Sequence, residues 1–173
     1  MMQYTGTNPE LAKRMLSYLA DRREGRGAAI SAAVVLNGEV AAACVDGVRG
    51  ADSSPASLAD LFNIGSISKV YCAVAVMKLV ELGKVDLDTP VVEYIPRFRM
   101  NDERYRQITL RMTLNHSSGM PGTNYHNAIA DFWSGEHIMD ENHEYWVHAK
   151  LKADPGSCSV YCNDGFELAA AVV

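Results

Sequence analysis

The chain has 173 residues, 48% apolar and 21% charged, which fits one ordinary globular domain and excludes a disordered chain. Sixteen Lys plus Arg against 21 Asp plus Glu give a formal charge of −5, and no basic stripe with interleaved aromatics is present, so no nucleic-acid partner is expected. No apolar run approaches about 18 residues, so no membrane span is expected. The amino terminus lacks the basic and apolar regions of a secretory leader, which points to a cytoplasmic protein, or to a periplasmic or secreted one whose leader has been removed.

Asn8 or Thr7 can cap a first helix, in which Leu11, Met15, Tyr18 and Leu19 recur at helical spacing until Gly25-Arg26-Gly27. Ala28 to Leu36 and Glu39 to Val45 read as strands joined by Asn37-Gly38, a strong hairpin signal. Both strands are apolar on both faces, which predicts cover on both sides of the sheet. After a loop over 47–59, a helix is predicted from Ser66 to Leu82, stopped by Gly83. It is apolar nearly all round, which predicts burial. Pro90 starts a short helix that Pro96 ends, and Thr109 caps another through Leu114. Residues 120–150 have no clear period; Asp154-Pro155-Gly156 is a turn, and Gly165 onward is apolar and helical. Two strands alone make a marginal hairpin, so the chain is expected to be part of a larger fold.

The polar residues of the long helix gather at its ends, with Ser66, Ser68 and Lys69 in the first turn. A cation there opposes the helix macrodipole, and in a buried turn it needs a partner or must neutralise. A neutral lysine amine is a general base. Ser66 lies three residues earlier on the same face, so its hydroxyl can meet that amine as a nucleophile meets its base. The helix N-terminus also directs N–H groups at an oxyanion formed on Ser66. The plainer alternative is that Ser66 only caps the helix and Lys69 is solvated.

Tyr161-Cys162-Asn163 is the second element: a tyrosine can relay protons, and an asparagine can hold an amide by both its groups. Tyr125-His126-Asn127 repeats the pattern, but the later copy is preferred because a Pro-Gly turn and an apolar helix brace it.

Phe62 through Lys69 resembles the first motif of the serine β-lactamase and penicillin-binding-protein superfamily, in its class C-like branch. Leu79 to Val91, Ile108 to Pro121, and Pro155 to Leu168 resemble three further blocks of that family, in its order. The resemblance implies an α+β fold of β-lactamase/transpeptidase type: an antiparallel sheet flanked by helices plus a helical lobe, incomplete in this chain. Residues 1–60 would supply the first helix and strands, and 61–173 the helical lobe. It implies a serine hydrolase that acylates Ser66 with a small-molecule lactam, D-amino-acid amide or ester, with no cofactor. Lys69 and Tyr161 would share the proton work and Asn163 would bind substrate amide. A third motif, Lys-Thr-Gly or His-x-Gly, is expected on a later strand and is absent from the sequence. A fragment, a second chain supplying the missing half, or a degraded relative would each explain that. A non-hydrolytic penicillin- or peptidoglycan-binding sensor of the same fold is the alternative function.

His137, His143 and His148 with Asp140, Glu141 and Glu144 invite a metal reading, but their spacings do not share a helical face and HExxH is absent, so no metal is expected. His116 lacks a Gly-x-Ser-x-Gly elbow to serve as a triad base, and is read as ordering a loop. Trp133, Tyr145 and Trp146 are read either as cleft-lining or as buried in the helical lobe. Cys44, Cys72, Cys158 and Cys162 are expected to be free thiols with structural or incidental roles.

Overall fold

The computed structural model describes residues 3–23, 28–50, 53–122 and 143–173. The chain divides into two compact units, Met1–Asn63 and Ile64–Val173.

In the first unit, helix α1 (Pro9–Arg23) lies against a three-stranded antiparallel sheet of β1 (Tyr4–Thr5), β2 (Ala29–Leu36) and β3 (Glu39–Gly47), ordered β1-β3-β2. Asn8 starts the helix, its Oδ1 accepting the Leu11 N–H at 3.0 Å. Asn37 and Gly38 both have positive φ, 51° and 81°, as the tightest hairpin turns require. The central strand β3 buries Ala41, Ala42, Cys44 and Val45. Strand β1 escapes sequence reading because two residues cannot show an alternation; it exists through its pairing of Tyr4 with Cys44 and Thr5 with Ala43. Among the described residues, β2 lies at one end of the strand order and alternates half-buried and exposed residues, with Val35 and Leu36 largely exposed.

In the second unit, a 3-10 turn (Gly65–Ile67) runs into α2 (Ser68–Glu81), followed by α3 (Val91–Tyr94), a 3-10 turn (Glu103–Gln107), α4 (Leu110–Leu114), a helical turn at 143–146 and α5 (Asn163–Val172). Thr109 caps α4, its Oγ1 accepting the Met112 N–H at 3.3 Å. The core centres on Phe98, whose ring meets Tyr105 and Trp146 edge-on at 5.5 and 5.7 Å. Trp146 is thus a core residue rather than a cleft wall. A second cluster of Val76, Leu110 and Ala169 ties α2 to α4 and α5. Asp102 accepts from the Arg104 guanidinium and from the Leu151 N–H, and the Arg104 bonds hold its carboxyl down to about 2. It thereby fixes the segment after the 143–146 turn against the start of the second 3-10 turn.

Among the described residues, α2 is packed along one flank. Only Val76 is fully buried, while Val70, Tyr71 and Val74 are 61–69% exposed and Ile67 and Met77 are also largely open. All-round apolarity does not itself bury a helix: α2 packs on the flank facing α5, and its other apolar flank has no cover among the described residues. Among those residues, no helix is long and apolar enough to cross a membrane.

Candidate active site

Gly65 adopts φ 52°, in the left-handed region, where the chain turns into the 3-10 segment. Ser66 therefore sits in that tighter turn rather than in the first turn of α2. Neither helical N-terminus there has a side-chain cap, so Ser66 is not a capping residue. Its Oγ lies 2.6 Å from the Tyr161 phenol oxygen and accepts from Lys69 Nζ at 3.2 Å. Three of the residues singled out in the sequence thus meet around one oxygen, although Tyr161 is 95 positions from Ser66.

Ser66 is exposed and Lys69 half-buried among the described residues. Lys69 Nζ stands 5.0 Å from the Tyr161 ring centre and 5.6 Å from that of Phe166. Hydrogen bonds from Lys69 and Ser66, in that order, pull the Tyr161 phenol below its ordinary range, against a smaller desolvation effect.

Tyr161 precedes α5, whose N-cap is Cys162. Its Sγ accepts the Gly165 N–H at 3.4 Å and donates to the Gly122 carbonyl at 3.4 Å, and burial pushes the thiol up. All four cysteines are free thiols. Asn163 opens α5 and lines, with Ser68, Lys69, Cys72, Phe166, Glu167 and Ala170, a groove of about 370 Å³. Asn163 therefore borders the same lysine as Ser66 does.

Sequence reading missed Glu167. Burial first and the Asp164 charge second raise its carboxyl to about 7, with Lys69 opposing. A folded acid that holds its proton above the unfolded value of about 4.3 loses stability as pH rises from there to 7. Glu167→Gln is expected to flatten that fall in thermal melts taken between pH 4.5 and 7; an unchanged slope would contradict the assignment.

The other candidates separate clearly. Tyr125-His126-Asn127, Trp133, His137, Asp140 and Glu141 lie outside the described residues. Among the described residues, no three His, Cys, Asp or Glu side chains gather to hold a metal. His116 does order a loop, and it does so against Tyr161, their ring centres 4.6 Å apart.

The beta-lactamase family pattern matches residues 13–173. The D-alanyl-D-alanine-carboxypeptidase/endopeptidase AmpH of Escherichia coli is 30% identical over 171 residues, covering 95% of this chain and 43% of that protein. The D-amino acid amidase of Ochrobactrum anthropi, solved with L-phenylalanine amide, superposes with a TM-score of 0.68 at 27% identity, over 91% of this chain and 42% of the other. A class C beta lactamase gives a TM-score of 0.72 at 21% identity over 94% of this chain and 44% of its own, a likeness of fold. The chain therefore spans under half the length of these relatives. With the family pattern running from the first helix through the serine, lysine and tyrosine to the final residue, the chain belongs to the beta-lactamase family.

Proposed function

We propose that the protein is a serine hydrolase that acylates Ser66 with a lactam, D-amino-acid amide or ester and then hydrolyses the acyl-enzyme. One observation carries this reading: a single exposed hydroxyl oxygen lies 2.6 Å from the Tyr161 phenol oxygen and 3.2 Å from the Lys69 side-chain nitrogen, a pair that takes up the Oγ proton when one of the two is unprotonated. In acylation, Ser66 Oγ bonds the carbonyl carbon and the carbon–nitrogen or carbon–oxygen bond to the leaving group breaks. The Oγ proton passes to the Lys69–Tyr161 pair, which returns it to the leaving group. Water then bonds the acyl carbon, the Oγ–carbon bond breaks, and Oγ regains a proton. The two partners act as one coupled pair, so neither is assigned as the sole base.

Asn163 holds the substrate amide, and the Ser66 N–H is half of the oxyanion hole. The other half belongs to a strand motif that these 173 residues lack, supplied by a further segment or a partner chain. Fold alone does not choose among the three substrate classes.

The test is covalent. Incubation with a fluorescent penicillin or a p-nitrophenyl ester, followed by acid quench and peptide mapping, is expected to place the acyl mass on the peptide carrying Ser66. It should then be released with turnover. An adduct elsewhere, or hydrolysis that leaves Ser66 unmodified in a rapid quench, would overturn the proposal.

A further inference from the structure

His116 brackets Tyr161 from three directions. Its carbonyl accepts the Val160 N–H at 2.9 Å, and its Nδ1 accepts the Cys162 N–H at 3.1 Å. The residues on either side of Tyr161 are thus tied to the same histidine. Its imidazole also packs on the Tyr161 ring at 4.6 Å and on Phe166 at 5.2 Å. Two features of the chain aim it there. Asn115 ends α4, and His116 then adopts φ 63°, a left-handed conformation that non-glycine residues rarely take. The Ser159 hydroxyl, bonded to the Asn115 carbonyl at 3.0 Å, draws the segment before Tyr161 against the same corner.

Tyr161 is itself 53% exposed, so close packing does not immobilise it. A half-exposed tyrosine keeps rotamer freedom that must be lost before its oxygen stays 2.6 Å from Ser66. Left-handed backbone at residue 116 is a local cost tied to this function-bearing corner.

We propose that His116 is a positioning residue that acts through Tyr161, fixing the phenol against Ser66 and Lys69. This rests on the hydrolase reading above and names what holds its proton relay in place. Nδ1 accepts, so the neutral ring carries its proton on Nε2. His116→Phe keeps the ring and loses the acceptor. His116→Asn keeps an acceptor, tolerates left-handed φ, and loses the ring.

The experiment is a double-mutant cycle on the full-length protein with a p-nitrophenyl ester. Each single variant is expected to lower kcat about 10- to 100-fold while KM stays within about three-fold. The alkaline shoulder from Tyr161 should move toward that of an ordinary phenol. In a Tyr161→Phe background, His116→Phe should cost nothing further. Additive losses in that cycle, or an unchanged kcat in either folded variant, overturn the inference. Should one variant fail to fold, the other still runs the cycle. The two readings fail differently: retained kcat in Ser66→Ala sinks the hydrolase proposal, whereas loss in Ser66→Ala and Tyr161→Phe without loss at His116 sinks only this one.

Discussion

Replacing Lys69 by methionine is expected to slow acylation of Ser66 by about 10²- to 10⁴-fold, the range in which a positioned general base contributes. Methionine keeps most of the side-chain length and can place a thioether near the Tyr161 and Phe166 rings that Lys69 Nζ now faces. It removes the donor that now reaches Ser66 Oγ at 3.2 Å. Folding should be little affected, since Lys69 is half-buried and its hydrogen bond goes to Ser66 within the site. The loss should therefore appear in the acylation rate and not in the melting temperature. A second signature follows. Lys69 is the largest influence lowering the Tyr161 phenol, so its removal should raise that phenol toward about 10. The measurement is the second-order rate of labelling by a fluorescent penicillin, alongside a phenolate absorbance titration with Tyr161→Phe as the blank. A rate within about three-fold of the parent would remove Lys69 from the chemistry.

The largest expected effect on stability lies away from the site. Phe98→Ala should destabilise the second unit by about 3–5 kcal/mol, as large-to-small changes at buried aromatics do. Phe98 is 1% exposed and its ring meets both Tyr105 and Trp146 at nearly right angles, 86° and 89°. Alanine deletes both edge contacts at once. The cavity would be walled by two large rings, themselves buried, that cannot easily turn inward to fill it. Urea unfolding followed by tryptophan fluorescence reads this directly, because Trp146 is one of the two ring partners. A loss below about 1 kcal/mol would mean that the core collapses around the gap.

Several elements were legible in the residues because their signals are local. Asn37-Gly38 could only turn a hairpin, Asn8 and Thr109 cap the helices they precede, and Pro90 stands just before α3. The spacing of Ser66 and Lys69 brought them together by helical geometry alone. Composition alone did not say which flank of α2 is packed. Apolar residues on every side state what a helix could bury, while burial depends on which neighbours are present. Strand β1 was missed for a related reason, since it is defined by its partner β3 rather than by any pattern of its own.

By itself, then, the sequence determined the β2–β3 hairpin, helices α1 to α5 in outline, the Asn8 and Thr109 caps, and the serine–lysine pair, all read from signals within a few residues. The tertiary structure alone decided that Tyr161 meets Ser66, that His116 holds Tyr161 from both flanks, and that Glu167 shares a groove with Lys69. Each of those contacts joins helices or turns far apart in the chain. Side-chain periodicity sets which face an element presents, and only packing sets what that face meets.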